Sequence, residues 1–314
     1  MDDDDDKKKI ADYWSENIAG SNPFSSDVYW LAIPAVQERY QKKACANKPY
    51  SSWVEYCVKE FLGSAVPVQR MLSIGCGTGS LERHLYSLDV FQQCDAVDIS
   101  LKAIEIAKQE ADKLNITSIS YSAYDIEAME LGTDRYDVVW FNGSLHHIKE
   151  LEFVLNRVKQ ALKPNGWLFF NEYVGFNRFT FSNRQREIFQ HAFYLIPSRY
   201  RRSFQHQPTT NAHQTIPPLP DPSEVARVDP SEAVRSQDIL SVVNSLFEIV
   251  KINSCGGSLL QFLLSGIAGN FKQSDPQSML ILNMLFGIED ALIDSGVIQS
   301  DFVVVAARQC SLAS

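Results

Sequence analysis

The sequence predicts an α/β fold in which helices cover a mostly parallel sheet. Apolar strands alternate with amphipathic helices from Val66 to Tyr173, and such an alternation forms βαβ units with parallel strands. The strand expected at Tyr136 to Phe141 is a continuous apolar run, as expected in the middle of a parallel sheet where both faces are buried. The first strand also leads through a glycine-rich turn into a helix, an arrangement that brings bare backbone close to a ligand.

Each element follows from a local pattern. Leu101, Ile104, Ala107 and Ala111 recur at helical spacing, residues 116–123 alternate like a strand, and the Pro-Asn-Gly sequence at 164–166 predicts a turn. In chain order we expect strands at 68–74, 94–97, 116–123, 136–141 and 167–170, with helices at 80–88, 101–114 and 151–162. Two further strands are expected at 247–252 and 302–306, with helices at 259–271 and 276–295 between them.

The composition of the chain argues against some classes of function. The 314 residues are 45% hydrophobic, enough for a substantial core. A net charge of −9 disfavours a nucleic-acid or anionic-membrane partner, because both need clustered Lys and Arg. The sequence contains no apolar run of the roughly 18–20 residues that a transmembrane helix needs, and no secretory signal.

The predicted organisation has five parts. Residues 1–9 are an Asp/Lys block that we expect to be disordered and that also reads as a cleavage tag. Residues 10–62 form an aromatic-rich helical cap, residues 63–175 the core, residues 176–240 a proline-rich insert or lid, and residues 241–314 complete the sheet.

Cysteine usage predicts the compartment. The chain has six cysteines, with no C-x-x-C pair and no spaced histidine pair nearby. We therefore expect reduced thiols in a cytoplasmic protein, without a disulfide framework or structural zinc.

The glycine turn is the first candidate binding element. Gly75, Gly77 and Gly79 stand at alternate positions after the first strand. A dinucleotide fingerprint would place its third glycine where Ser80 stands. The earlier glycine suits a cofactor without a pyrophosphate, whose amino-acid portion would contact the backbone, and it argues against a nicotinamide-dependent oxidoreductase.

Two acidic residues follow at the ends of the next strands. Asp98 can accept both hydroxyl groups of a ribose. Asp125 can accept a hydrogen bond from the amino group of adenine, with Ile126 against the ring. An acidic residue at a strand end often only caps a helix, and this alternative stays open for both.

In five segments the chain resembles the class I S-adenosylmethionine-dependent methyltransferases. These segments are Ser73-Ile74-Gly75-Cys76-Gly77-Thr78-Gly79, Asp98, Asp125, residues 137–147 and residues 162–168. The resemblance covers roughly Val66 to Tyr173. It implies a Rossmann-like three-layer sandwich with a seven-stranded, mostly parallel sheet whose last strand runs antiparallel.

The resemblance also implies the cofactor S-adenosylmethionine, its product S-adenosylhomocysteine, and a set of binding residues. Gly75, Gly77 and Gly79 would face the methionine portion, Asp98 the ribose, Asp125 and Ile126 the adenine, and Asn142 and Leu145 the sulfonium. Cys76 and Ile99 are further cofactor-binding candidates. Tyr13 and Trp14 would belong to a lid over the cofactor, with plain aromatic packing as the alternative.

Methyl transfer requires alignment of nucleophile, methyl group and sulfur, and the exclusion of water. A hydroxyl nucleophile also benefits from a base, and His147 or, second, His146 follows the fourth strand where the methyl is expected. Glu172 would orient a histidine, and Tyr173 and Arg178 would contact the substrate. The pattern resembles class members that methylate sugar hydroxyls of natural products, so a small-molecule hydroxyl is the expected acceptor.

Several alternatives remain at this point. A His-His pair here is common among class members that need no base, so N- or C-methylation by proximity alone stays open, as does an idle cofactor-binding regulator or scaffold. No metal is expected, because the fourth strand ends in Asn142 rather than Asp. The Asn/Asp-Pro-Pro-aromatic motif of nucleic-acid amino methylation is missing. The oligomeric state is open, with a homodimer as one option.

Overall fold

Seven strands form one sheet in the order β3-β2-β1-β4-β5-β7-β6. The computed structural model describes residues 7, 9–14, 27–204 and 212–309. The strands are β1 Val68–Ile74, β2 Phe91–Asp98, β3 Ile119–Ala123, β4 Tyr136–Asn142, β5 Leu162–Tyr173, β6 Glu248–Gly256 and β7 Phe302–Arg308. β1 to β5 are parallel, and β7 is antiparallel to both β5 and β6. The predicted fold is confirmed.

Besides the amino-terminal helix at residues 9–14, ten α-helices surround this sheet in the described part of the chain. They are α1 Pro34–Ala44, α2 Trp53–Cys57, α3 Ser80–Ser87, α4 Leu101–Lys113, α5 Leu151–Ala161, α6 Asn183–Tyr194, α7 Pro222–Val228, α8 Ile239–Leu246, α9 Leu260–Leu264 and α10 Pro276–Asp294. Hydroxyl caps begin several of them: Ser100 accepts from the amide of Ala103, and Ser182 forms a capping box with Gln185. None of the described helices is long and apolar enough to cross a membrane.

Alternation along the central strands gives the sheet two apolar faces. Met71, Trp140 and Phe169 face one side, where the cap helices, α3 and α4 pack. Leu72 and Phe170 face the other side, against α5 and α8. The result is three layers, helix–sheet–helix, with the central strands buried on both faces.

The topology places one crevice at the carboxyl edge of the sheet. β1 lies between β2 and β4, so the chain winds in opposite directions from this strand. At such a switch point the loops after neighbouring strands separate and leave room for a ligand. The glycine turn, Asp98 and the residues after β4 therefore meet at one edge, as the sequence predicted.

Some element bounds differ from prediction for local reasons. β2 begins at Phe91 instead of 94, and β3 begins at Ile119 because Asn115 turns the chain with a φ of +55°. The predicted helix 259–271 is divided, because Gly266 ends α9 with a φ of +77° and a separate turn, Ala268–Asn270, follows.

At the amino terminus the structure corrects one prediction. Lys7 and residues 9–14 are helical, in a stretch of which residues 1–9 were expected to be disordered. The rest of that tail lies outside the described residues. Cys45, Cys57, Cys76, Cys94 and Cys255 are free and buried, and Cys310 lies outside the described residues.

Candidate active site

A cavity of about 390 Å³ opens at the carboxyl edge of the sheet, beside β1, β2 and β4. Its volume falls in the range of about 300–1,000 Å³ that small-molecule sites occupy. The glycine turn, the start of α3, the ends of β2 and β4, the loop after β3 and the segment 230–234 all contribute to its wall. Lys7, Ile10 and Trp14 of the amino-terminal helix cover it from outside.

The three glycines of the turn meet different requirements. A Cβ on Gly75, whose φ is +69°, would lie 2.2 Å from the Cβ of Ser144 after β4. A Cβ on Gly79 would lie 2.5 Å from the hydroxyl of Tyr121. At Gly77 a Cβ would meet no atom within 4 Å. Gly75 and Gly79 are therefore required by packing, whereas Gly77 leaves open space beside the ligand cavity.

Asp98 closes the glycine turn and lines the cavity. Its carboxylate accepts hydrogen bonds from the amides of Gly77 and Ser100, both at 2.8 Å. Burial raises the pKa of Asp98, against the lowering effect of these amides. Each carboxylate oxygen keeps a further lone pair, so Asp98 can cap the backbone and still accept hydroxyl groups.

Asp125 also lines the cavity, together with Tyr124 and Ile126. One of its oxygens accepts from the amide of Glu127 at 2.9 Å in a turn at 126–128, so Asp125 caps a turn and not a helix. The other lies 2.7 Å from the ammonium group of Lys7. A carboxylate and an apolar side chain thus stand side by side in the cavity wall.

His147 lines the cavity at the end of β4, edge-on to Trp14 with 5.2 Å between ring centroids. Its Nδ1 lies 3.0 Å from the hydroxyl oxygen of Ser231, and this hydroxyl donates to Asp229 at 2.6 Å. The Ser231 oxygen therefore accepts from Nδ1–H, which leaves Nε2 of His147 as the unprotonated nitrogen. Burial, together with the charge of His146, holds the pKa of His147 well below its usual value, so the ring is neutral.

His146 is part of an ion pair. Its Nδ1 lies 2.6 Å from Glu172, whose other oxygen accepts from the amides of Ser144 and Leu145, each at 2.6 Å. Burial lowers the pKa of His146, but the charge and hydrogen bond of Glu172 outweigh this and raise it to about 9. The donor atoms of His146, His147 and Glu232 lie within 4.8 Å of one another. We interpret this group as a charge network around an imidazolium.

This ion pair predicts a dependence of stability on pH. The folded pKa of about 9 exceeds the ordinary value of 6.5, so the pair stabilises the fold fully below pH 6.5 and loses this effect as pH rises through 9. Glu172→Gln keeps an oxygen for both amides but removes the charge. We expect denaturant unfolding to show a loss of about 1–3 kcal/mol over this window in the wild type and little change in the variant. The same pH dependence in both proteins would contradict the assignment.

The structure brings most of the predicted cofactor residues to one cavity. Its lining includes Trp14, Gly75, Cys76, Gly77, Asp98, Ile99, Asp125, Ile126, Asn142 and His147. Gly79, Tyr13, His146, Glu172, Tyr173 and Arg178 lie outside the lining. Leu145 was expected beside the sulfonium, but its side chain is fully buried in the core on the α5 face.

Tyr173 and Arg178, the two predicted substrate residues, do not line the cavity. Tyr173 is buried and packs against Phe179 and Phe302. Arg178 has a φ of +49°, and its guanidinium donates to the carbonyl of Pro230 at 2.5 Å. Arg178 therefore fastens the segment that carries Ser231 to the end of β5.

Sequence reasoning missed Glu82, Ser231 and Asp229. Glu82 lies in the first turn of α3, where an acidic residue ordinarily complements the helix dipole, so nothing in the pattern marked it as a site residue. Ser231 and Asp229 lie in the insert, which has no periodicity. The sequence signal for Ser231 and Asp229 was the predicted insert at 176–240, which contains both residues.

The comparisons with known proteins agree with this geometry. A family model for a methyltransferase domain matches residues 67–216. The malonyl-[acyl-carrier protein] O-methyltransferase of Acetivibrio thermocellus is 33% identical over 112 residues, which are 36% of this chain and 37% of that protein. The chain spans 37–53% of the length of the first curated relatives that it matches.

Solved structures share the fold at low identity. One is geranyl diphosphate C-methyltransferase from Streptomyces coelicolor, in complex with Mg²⁺, geranyl diphosphate and S-adenosylhomocysteine. It has a TM-score of 0.55 and 13% identity over 96% of this chain and 98% of that chain. Another is Haemonchus contortus phosphoethanolamine N-methyltransferase 2 with S-adenosylmethionine, which has a TM-score of 0.52 and 17% identity over 88% and 57% of the two chains.

Three lines of evidence now coincide. The strand order places the glycine turn, Asp98 and the residues after β4 around one cavity. The domain model covers this region, and the curated relative and the two solved structures described above are named as methyltransferases. Residues 67–216 thus match the model of a methyltransferase domain, and the chain is similar in sequence and fold to the class I S-adenosylmethionine-dependent methyltransferases.

Proposed function

We propose that the protein binds S-adenosylmethionine in the cavity and transfers its methyl group to an oxygen atom of a small-molecule acceptor. The observation that carries the proposal is that Asp125, Asp98, the glycine turn and His147 all line one cavity. A ribose acceptor, an apolar and acidic pair suited to adenine, and a neutral imidazole thus meet at the same site.

The residues present fit this cofactor. The open space at Gly77 leaves room for a ligand against the backbone. Asp98 would hold the ribose through the lone pairs that its backbone contacts leave free, while Asp125 and Ile126 would hold the adenine. Trp14 would cover the site and exclude water. When bound, the cofactor supplies an electrophilic methyl group on a positively charged sulfur.

His147 is proposed as the base. Its Nδ1–H is directed to Ser231, and Asp229 accepts the hydroxyl hydrogen of Ser231. The Nε2 lone pair is thus available to a proton, and Asp229 stabilises the imidazolium that forms. The low pKa of His147 is sufficient, because a hydroxyl oxygen that gains a methyl group becomes strongly acidic. A neutral base beside the methyl position supports an oxygen acceptor.

The acceptor class is a proposal in its own right. The printed names of the compared proteins include O-, N- and C-methyltransferases, so the family alone does not select the atom. The cavity volume of about 390 Å³ and the insert segment 230–234 in its wall favour a small molecule over a macromolecule. A sugar or secondary-metabolite hydroxyl remains our proposal for the acceptor.

A binding experiment tests the cofactor assignment. Asp98→Asn keeps the size of the side chain but removes its charge. We expect S-adenosylmethionine to bind about 10- to 100-fold more weakly in calorimetric titration, since hydrogen bonds to a charged group are worth about 1.5–3 kcal/mol. Asp294→Asn on the exposed end of α10 is the control and should change nothing. Equal affinity in both variants would contradict the role of Asp98.

A further inference from the structure

The two histidines after β4 and one carboxylate of the insert present three metal-binding groups to one another. Nε2 of His147 lies 3.8 Å from Oε2 of Glu232, and Nε2 of His146 lies 4.0 Å from Oε1 of the same carboxylate. These separations exceed a hydrogen bond, so a gap remains between the carboxylate and both rings. The side chains of His146, His147 and Glu232 are 11%, 16% and 29% exposed, so an ion from solution can reach them.

The other nitrogen of each ring is already held. Nδ1 of His146 lies 2.6 Å from the carboxylate of Glu172. Nδ1 of His147 lies 3.0 Å from the hydroxyl oxygen of Ser231. Histidines that bind a metal usually donate their second ring N–H to a carboxylate or another fixed acceptor, because this orients the ring and fixes its tautomer. Both Nε2 atoms are therefore left facing Glu232 as potential ligands.

The spacing and the ligand types fit a small divalent transition-metal ion. Nitrogen and oxygen ligands lie about 2.0–2.2 Å from Zn²⁺, so two ligands of one tetrahedral ion are about 3.3–3.6 Å apart, and the Glu232 carboxylate would close the site with a shift of about half an ångström. Two imidazoles and one carboxylate suit Zn²⁺ or Co²⁺ better than Mg²⁺ or Ca²⁺, which prefer oxygen ligands. The nearby carboxylates of Glu172 and Asp229 add negative charge that favours a cation.

We propose that Nε2 of His146, Nε2 of His147 and the carboxylate of Glu232 form a site for a divalent transition-metal ion such as Zn²⁺, and that the bound ion inhibits methyl transfer. In the metal-free protein the group remains the charge network described above. The ion takes the place of the Nε2 proton of His146 and binds the Nε2 lone pair of His147. This lone pair is the one that the proposed base uses, so an occupied site cannot accept the proton of an acceptor. The inhibition rests on the proposed function, whereas the binding of the ion does not.

Metal binding is measured without any turnover. Calorimetric titration of the metal-free protein with Zn²⁺ is expected to show one ion per chain, and Co²⁺ bound at the same site is expected to give a visible absorption spectrum. Glu232→Gln keeps the size of the side chain but removes its charge. It should weaken the ion about 10-fold or more, since loss of a group that only orients a metal ligand already costs about 10- to 100-fold.

The controls separate this site from adventitious binding. Glu187→Gln, on the exposed side of α6, is the matched variant and should leave the affinity for Zn²⁺ unchanged. His147→Ala should lose the Co²⁺ spectrum, and an unchanged affinity for S-adenosylmethionine would show that each variant is folded. Absence of the Co²⁺ spectrum in the wild type, or equal affinity for Zn²⁺ in Glu232→Gln and the wild type, would overturn the inference.

Turnover tests the consequence of binding. Zn²⁺ is expected to suppress the release of S-adenosylhomocysteine by the wild type, a chelator should restore it, and Mg²⁺ should have no effect. Glu232→Gln, compared with its own metal-free rate, should need about 10-fold or more Zn²⁺ for the same inhibition. A rise in turnover with Zn²⁺, or equal inhibition of both proteins, would overturn the inhibitory role. If the protein binds the ion but methylates no acceptor when metal-free, the metal site stands and the proposed function is wrong.

Discussion

Replacement of His147 by alanine is expected to lower turnover about 100-fold or more, the usual contribution of a general base. The variant loses the imidazole at the cavity wall but keeps the glycine turn, so the dissociation constant for S-adenosylmethionine should change little. Release of S-adenosylhomocysteine with a panel of hydroxylated metabolites measures turnover, and calorimetry measures binding.

His191→Ala is the matched control for this prediction. His191 lies on the exposed side of α6, away from the cavity lining, so its loss should leave turnover unchanged. Unchanged turnover in His147→Ala as well would mean that alignment alone suffices. The oxygen-specific base would then be wrong, and the N- or C-methylation alternative would gain support.

Replacement of Gly75 by alanine is expected to abolish measurable cofactor binding. A Cβ on Gly75 would lie 2.2 Å from the Cβ of Ser144 and 2.7 Å from its hydroxyl, which donates to the carbonyl of Ile74. The collision must move the glycine turn away from the loop after β4, and these are two walls of the cavity. We expect a loss of more than about 100-fold in affinity for S-adenosylhomocysteine and about 2 kcal/mol or more in unfolding free energy.

Gly296→Ala is the control that separates the effect of a steric collision from the effect of backbone strain. Gly296 has a similar φ of +71°, but a Cβ there would meet no atom within 4 Å. This control should cost only about 1 kcal/mol of stability, from the left-handed conformation alone, and should bind the cofactor normally. Wild-type affinity in Gly75→Ala would show that the turn does not form the binding wall.

The sheet and the cofactor end of the site could be predicted because both depend on short-range patterns. Apolar periodicity located the seven strands, and β1 to β5 became parallel because helices connect them. Asp98 was identifiable because a carboxylate at the end of β2 must lie beside the glycine turn. These features follow from strand order and local spacing.

The acceptor end of the site could not be predicted in the same way, because its geometry depends on contacts between residues far apart in the sequence. His147 acquires its tautomer from Ser231, which lies 84 positions later in an insert without periodicity. Leu145 was misassigned because a short helical turn, Leu145–His147, directs it into the core and His147 into the cavity. Glu172 was correctly predicted to contact a histidine, but its partner is His146.

One titration tests the central claim most directly: wild-type protein against S-adenosylmethionine and, in parallel, against a nicotinamide dinucleotide. The glycine spacing, the open space at Gly77 and the free lone pairs of Asp98 predict saturable binding of S-adenosylmethionine at one site per chain and no binding of the dinucleotide. Binding of the dinucleotide without S-adenosylmethionine would contradict the account.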